Sequence, residues 1–303
     1  MIKKYRGVVV PMVTPFTESG EIDVPATIRI CESFVNSGVS PLLLGTTGES
    51  ASVSPDDSSL FVKTAVNAIK QRVVVYACLS SNCVKQNIES AKTYIDHGVD
   101  VIVSVLPCYY PLTPGQMYDY YIKIADTITG PVMLYNIPAT TKMSIPIEIV
   151  ESLSGHPNIC GFKDSERDEQ RMEECLRIFS SREDFSYFMG FAKLSVISLK
   201  KGADGIVPST ANFTPGMFKE LYDLSLQGKW EEAERIQVET SEIAKIYQEG
   251  RTLGQSLPAL KTMMSVLGLC SPYSISPLTT PSPDEQNEII SATREIIRKY
   301  SID

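Results

Sequence analysis

The sequence predicts an α/β protein: a closed (β/α)8 TIM barrel followed by a C-terminal helical extension. Two observations support this fold class. Short apolar runs alternate with amphipathic stretches of helical length, at a spacing of roughly 30 residues for most steps, which is the size of one strand–helix unit. Eight such units are present, the number that closes a parallel barrel. A doubly wound open sheet is the alternative, but no G-x-G-x-x-G motif follows the first strand.

The barrel elements follow one another in a regular order. The predicted strands are continuous apolar runs, typical of strands buried on both faces: Val8–Val13, Pro41–Leu44, Val73–Ala77, Val101–Leu106, Val132–Tyr135, Ile159–Lys163, Phe185–Met189 and Gly205–Val207. The predicted helices between them are Asp23–Asn36, Pro55–Gln71, Val84–Asp96, Pro114–Thr127, Pro146–Leu153, Arg167–Ser180 and Ala192–Lys200. Four glycines suit left-handed helix C-caps before strands, a conformation that glycine adopts at little cost: Gly38, Gly98, Gly130 and Gly202.

The chain continues well beyond the eighth strand. Four more helices are predicted, separated by Gly- or Pro-rich breaks at Gly250–Ser256 and Cys270–Pro283: Pro215–Gln227, Glu231–Gln248, Leu257–Leu267 and Pro283–Tyr300. We therefore divide the chain into a barrel with the active site over residues 1–212, and a last barrel helix with a helical extension over residues 213–303. We expect no catalytic residue in the extension.

Composition excludes several classes of protein. The 303 residues are 43% hydrophobic and 21% charged, as in a soluble globular protein. A net charge of −8 without a Lys/Arg cluster argues against a nucleic-acid partner. No apolar run approaches the roughly 20 residues of a membrane helix, so we expect no membrane association and a cytoplasmic location. The seven scattered cysteines contain no C-x-x-C pair and indicate reduced thiols.

The chain has only two histidines, His97 and His156. His97 ends a predicted helix, and His156 lies in the loop that leads into strand six. Both are thus expected at the end of the barrel opposite the active site, in structural roles. Because a His-rich metal site is then unavailable, we expect no metal and no cofactor.

Active sites of TIM barrels lie where the strands end, and Lys163 is the most informative residue there. It closes the apolar strand Ile159–Phe162, and a poorly solvated amine is a nucleophile that can form a Schiff base with a carbonyl. The alternative is a structural lysine paired with Asp164 or Glu166.

Neighbouring strand ends offer matching chemistry. Tyr135 can transfer protons to and from a carbinolamine. The turn Thr46-Thr47-Gly48 carries hydroxyl and backbone N–H groups that can hold a carboxylate. A substrate bound by both the turn and the amine would be a 2-oxo acid. Glu49 either braces this turn or acts chemically, and we favour bracing.

Four motifs in order resemble the dihydrodipicolinate synthase and N-acetylneuraminate lyase family of class I, pyruvate-dependent lyases. The likeness runs from Gly7 to about Asn212 and continues more weakly through the extension. The motifs are Gly45-Thr46-Thr47-Gly48-Glu49-Ser50, Pro107-Cys108-Tyr109-Tyr110-Pro111, Tyr135-Asn136-Ile137-Pro138 and Gly161-Phe162-Lys163-Asp164-Ser165.

The resemblance implies roles for individual residues. Lys163 would be the Schiff-base lysine and Tyr135 the proton shuttle. Thr46 and Tyr109 would complete a hydroxyl relay, with Tyr109 shared across a subunit interface, and Thr47 would bind the pyruvate carboxylate. The backbone positions expected to line the substrate pocket are Gly48, Gly190 and Ile206. The resemblance also implies a homo-oligomer, a dimer or a tetramer.

Departures from the family pattern guide the choice of substrate. Thr140 stands where the synthases carry a carboxylate-binding arginine, and a hydroxyl cannot replace that bidentate group. Phe191 and Ala192 stand where sialic-acid lyases carry acidic residues. The leading hypothesis is therefore an aldolase that forms or cleaves a 2-keto-3-deoxy sugar acid, in a pocket lined by Thr140, Thr141, Ser209 and Thr210.

Three alternatives remain open. The first is dihydrodipicolinate synthase itself, which joins pyruvate and aspartate semialdehyde, with another group in place of the arginine. The second is a 2-keto-3-deoxy acid dehydratase that uses the same lysine. The third is a non-catalytic 2-oxo-acid-binding barrel, against which the complete set of Lys163, Tyr135, Thr46 and Tyr109 argues.

Overall fold

A computed structural model describes residues 3–302 and confirms the predicted barrel. Eight parallel strands pair in chain order, and the first closes on the last. They are β1 Gly7–Pro11, β2 Ser40–Leu43, β3 Tyr76–Leu79, β4 Val101–Val105, β5 Val132–Asn136, β6 Ile159–Asp164, β7 Ser186–Met189 and β8 Gly205–Ile206. All polar strand ends therefore meet at one mouth of the barrel.

Helices surround this barrel and continue into the extension. The helices up to the eighth strand are α1 Val24–Asn36, α2 Pro55–Ile69, α3 Val84–His97, α4 Pro114–Thr127, α5 Pro138–Thr141, α6 Ile147–Leu153, α7 Glu169–Phe179 and α8 Ser195–Lys200. Those that follow are α9 Pro215–Leu226, α10 Trp230–Gln248, α11 Leu253–Val266 and α12 Pro283–Tyr300. Helix α9 packs against β1 and α10, while α11 and α12 pack against each other and against α10.

The core lies in two layers. Residues that point outward from the strands pack against the helices in the larger layer. Inside the barrel, Tyr76 packs edge-to-face against Tyr5 and Phe188, with ring centroids 6.4 and 6.3 Å apart. Because these rings fill the barrel interior, it is a packed core and the open positions lie at the strand ends.

Helix α11 begins four residues earlier than the sequence predicts. Gly254 belongs to the predicted break Gly250–Ser256, yet it lies within the helix. The start is fixed by a capping box, in which Gln255 accepts hydrogen bonds from the Thr252 N–H and hydroxyl at 3.0 and 2.9 Å. The short helix α5 is also absent from the sequence prediction, and the predicted helix at Ala192 starts as a 3-10 turn before α8.

The predicted glycine caps are confirmed at three of four positions. Gly38, Gly98 and Gly202 adopt φ values of +67°, +102° and +98°. The prediction for Gly130 is wrong, because α4 ends at Thr127 and the chain is already extended at Ile128. A glycine three residues beyond a helix end is too far away to cap it.

His97 joins the end of α3 to α2, and His156 joins the loop before β6 to α4. The His97 Nε2 lies 2.9 Å from Ser59 Oγ, and the His156 Nε2 lies 3.1 Å from Asp126 Oδ1. All seven cysteines are free thiols, and five of them are buried. Within residues 3–302, no group of three or more His, Cys, Asp or Glu side chains is placed to hold a metal ion, and no helix has the length and apolar character to cross a membrane.

Candidate active site

Lys163 and Tyr135 lie side by side at the mouth of the barrel. They are paired in register between β6 and β5, so their side chains share one side of the sheet. The Lys163 side chain is buried, with 4% of the residue exposed, and its Nζ lies 3.7 Å from the centre of the Tyr135 ring. The amine is thus held against the face of a phenol in a poorly hydrated environment.

The carboxylates next to Lys163 are bound by another cation. The Arg171 Nε lies 2.8 Å from Asp164 Oδ2 and 3.2 Å from Glu166 Oε2. The Asn136 side-chain amide donates to the same two carboxylates at 2.8 and 2.9 Å. Burial raises the pKa of Asp164, and Arg171 and Asn136 act against that rise. Among residues 3–302 the Lys163 amine has no ion pair and no hydrogen bond, so it is available to a carbonyl.

The structure brings three of the four predicted catalytic residues together, Lys163, Tyr135 and Thr46. The Thr46 and Tyr135 hydroxyl oxygens lie 3.4 Å apart, close to Lys163. Tyr109 instead projects from the β4 loop with 75% of the residue exposed, edge-to-face against Tyr110 at 4.9 Å. No hydrogen bond joins its hydroxyl to any described residue, so within one chain Tyr109 lies apart from the Thr46–Tyr135 pair.

The Thr46–Gly48 turn presents a small set of free N–H groups. The Gly48 and Glu49 N–H groups donate inside the turn, to Gly45 O at 3.0 Å and Thr46 O at 3.2 Å. The Thr46 and Thr47 N–H groups have no acceptor within the described part of the chain. Gly48 itself is packed against backbone, since a Cβ there would lie 3.0 Å from Met12 O. The carboxylate site offered by this turn is therefore made by Thr46 and Thr47.

Gly190, directly after β7, and Ile206, at the end of β8, lie beside the mouth. The Gly190 N–H donates to Asp164 O at 2.6 Å, and a side chain at Gly190 would overlap the Ser165 hydroxyl. Ile206 is fully buried and pairs with Met189. The loops after β6 and β7 thus run in close contact, and only glycine fits between them.

The hydroxyl groups predicted to bind a sugar chain contact protein atoms instead. Thr140 donates to Ile137 O at 3.3 Å and Thr141 to Met143 O at 2.9 Å. Ser209 and Thr210 both hydrogen-bond the buried Tyr247 hydroxyl, at 2.8 and 2.9 Å. Each hydroxyl therefore already has a partner, although a substrate could still donate to its oxygen.

Two residues of the extension reach the strand ends, where the sequence indicates none. Tyr247 of α10 bonds the loop after β8, and Lys261 of α11 forms a buried ion pair with Glu49. Glu49 therefore braces the turn, the interpretation favoured from the sequence. A single lysine within the apolar run Leu257–Met264 was the available signal for Lys261, because buried lysines occur almost only when paired.

Comparison with known proteins decides the family. The model of the dihydrodipicolinate synthetase family matches residues 4–296. The chain is 30% identical over 285 residues to the 4-hydroxy-tetrahydrodipicolinate synthase of Leptospira biflexa, covering 94% of this chain and 95% of that protein. The chain belongs to the dihydrodipicolinate synthetase family. Like other members it is a class I, pyruvate-dependent lyase on a TIM barrel.

Solved structures of the family superimpose over nearly the whole chain. Dihydrodipicolinate synthase from Bacteroides thetaiotaomicron is 30% identical, with a TM-score of 0.92, covering 97% of this chain and 100% of that one. The Aquifex aeolicus synthase is 27% identical, with a TM-score of 0.88, covering 98% and 99%. The dihydrodipicolinate synthetase fold therefore extends through the C-terminal helices.

The ion pairs of Arg171 predict a strong stability effect. In R171M, the buried Asp164 carboxylate and the partly buried Glu166 carboxylate lose their cation, so the free energy of unfolding should fall by about 3 kcal/mol or more. R177M on the same helix is the matched control, because Arg177 is exposed, and it should change stability by less than about 0.5 kcal/mol. Urea denaturation measures both. Equal losses of unfolding free energy in the two variants would contradict the role of Arg171 as the cation that stabilises these carboxylates.

Proposed function

We propose that this lyase binds pyruvate as a Schiff base on Lys163 and condenses it with an aldehyde. One observation carries the proposal: an amine that is buried and has no ion pair among the described residues lies against Tyr135, whose hydroxyl meets Thr46 beside the free N–H groups of the turn. A 2-oxo acid fits this arrangement, with its carboxylate on Thr46 and Thr47 and its keto carbon at the Lys163 amine.

The reaction follows from these positions. The Lys163 amine attacks the keto carbon, and Tyr135 protonates the departing hydroxyl, which leaves as water and gives the imine. Loss of a proton from the methyl carbon gives an enamine, whose carbon attacks the aldehyde and forms the new carbon–carbon bond. The aldehyde oxygen takes up a proton, and water then releases the product from Lys163. This sequence needs no metal or cofactor, because the imine serves as the electron sink.

The second substrate that we propose is aspartate semialdehyde, as in dihydrodipicolinate synthase. Relatives that match over nearly the full chain carry the name 4-hydroxy-tetrahydrodipicolinate synthase, which supports this choice over a sugar acid. This choice is also supported by four hydroxyl groups that already have hydrogen-bond partners in the protein, those of Thr140, Thr141, Ser209 and Thr210. A keto-deoxy sugar acid is the second candidate, favoured by the absence of an arginine at position 140.

Arg167 supplies the missing carboxylate-binding group in this proposal. It lies four residues after Lys163 on the β6 loop, with its Cζ 5.1 Å from the ring centre of Phe191 on the β7 loop. Its acidic neighbours are engaged elsewhere, Glu166 by Arg171 and Asp168 by the start of α7. Arg167 is exposed and has no ion pair within residues 3–302. An anionic aldehyde could therefore bind it in bidentate fashion.

Trapping with borohydride tests the Schiff base and the choice of substrate. Wild-type protein incubated with pyruvate should gain one reduced adduct, located at Lys163 by peptide mass spectrometry, and K163A should gain none. Condensation with aspartate semialdehyde should exceed pyruvate release from a panel of keto-deoxy sugar acids. Absence of an adduct would contradict the proposed chemistry, and activity on sugar acids alone would select the second candidate.

Replacement of Arg167 tests the second anion site. R167A should raise the KM for aspartate semialdehyde by roughly 10-fold to 100-fold, the value of a charge-assisted hydrogen bond, and leave pyruvate trapping unchanged. R177A, which removes an exposed arginine from α7, controls for net charge and should alter neither quantity. An unchanged KM in R167A would exclude Arg167 as the carboxylate group.

We also propose a homo-oligomer in which Tyr109 completes the relay of a second copy of the chain. The exposed Tyr109–Tyr110 pair supports this, because two neighbouring large aromatic side chains in solvent are typical of interfaces. The free thiols support a cytoplasmic location.

Mixed oligomers test the sharing of Tyr109. Y109A and K163A should each be nearly inactive alone. After joint refolding or exchange, a fraction of sites should pair an intact Lys163 with an intact Tyr109 from the other variant, so activity should reappear. If Tyr109 acts within its own chain, the mixture should stay as inactive as its components.

A further inference from the structure

A buried ion pair joins the active-site turn to the C-terminal extension. Glu49 follows the turn directly, and Lys261 lies on α11; both side chains are 0% exposed, and the Lys261 Nζ contacts Glu49 Oε1. Lys261 also donates to Tyr273 O at 3.0 Å, and its Nζ lies 4.4 Å from the ring centre of Phe16. The extension thus provides the cation for a carboxylate that the barrel buries.

This pair contributes more to geometry than to stability. Removing two charges from water costs several kcal/mol per ion, and an apolar pair of similar volume is often as stable. Burial lowers the pKa of Lys261, and Glu49 acts against that effect. The other Glu49 oxygen, Oε2, has no hydrogen-bond partner among the described residues. Lys261 is therefore the main ligand of the Glu49 carboxylate, with a weaker contact from Ser274 at 3.5 Å.

The Thr46–Gly48 turn needs such support because the backbone is strained on both sides of it. Leu44 and Glu49 adopt φ values of +53° and +56°, a left-handed conformation that non-glycine residues rarely take. Such residues cost roughly 1–3 kcal/mol each and persist where surrounding contacts fix them. Thr14 fixes the turn from the loop after β1 by donating to Gly48 O at 2.6 Å, and Lys261 fixes it from α11 through Glu49.

We infer that Lys261 is a positioning residue for the reaction. By fixing Glu49, it holds the Thr46 and Thr47 N–H groups at the place where the pyruvate carboxylate binds, without touching the substrate. This inference rests on the proposed Schiff-base chemistry at Lys163. It also gives α11 a function, since the carboxylate site would lose its support if the extension were displaced.

The test compares variants that separate charge burial from positioning. K261M leaves Glu49 buried without its cation, so it is expected to fold poorly. E49Q/K261M removes both charges at similar volume and should fold, with a melting temperature near that of the wild type. R251M is the control, because it breaks the Arg251–Glu285 pair of the same extension, which does not reach the turn.

The readout is the rate of borohydride trapping at Lys163 as a function of pyruvate concentration. E49Q/K261M should need about 10-fold more pyruvate for half-saturation, as when supporting residues of a site are lost, with a smaller change in the maximal rate. K261R keeps a cation at this position and should retain most of the wild-type affinity for pyruvate. R251M should match the wild type. A wild-type half-saturation in E49Q/K261M would overturn the positioning role. Absence of any adduct in the wild type would instead overturn the proposed function.

Discussion

A buried amine that no carboxylate among residues 3–302 neutralises is the constraint on which the rest of the site depends. Lys163 follows an apolar strand and precedes two acidic residues that would pair with it if they were free. Arg171 and Asn136 bind both carboxylates, so Lys163 packs against the Tyr135 ring instead. Because β5 and β6 hold these residues in fixed register, the closed barrel keeps the amine, phenol and acidic groups in this arrangement.

Local patterns were sufficient to predict the barrel and its central lysine. Buried parallel strands are continuous apolar runs, and Lys163 interrupts that pattern at a strand end. The start of α11 differs from the prediction because Gly250 and Gly254 indicate a loop, whereas the capping box at Thr252 is a local signal that outweighs Gly254. The partners of Lys163's neighbours could not be predicted, since Arg171 faces Asp164 only once α7 packs against the barrel.

The sequence predicts a helical extension without catalytic residues. In the structure this extension contacts two of the loops that surround the mouth. Tyr247 binds the hydroxyls after β8, and Lys261 binds the carboxylate after β2. Both contacts join residues far apart in the chain, so no sequence periodicity reports them. The strained turn at Glu49 and the lone buried lysine on α11 are each unfavourable alone, and together they form one supported structure.

In the proposed condensation, the charges around the mouth determine how a chain without an arginine at position 140 would bind an anionic aldehyde. Three carboxylates follow β6 closely, and free carboxylates there would repel an anion. Arg171 binds both Asp164 and Glu166, and Asp168 caps α7, where the helix dipole stabilises negative charge. Arg167 is then the cation of this loop that has no ion-pair partner among residues 3–302, so in the proposed reaction its guanidinium is the group of the loop that would bind the carboxylate of the aldehyde.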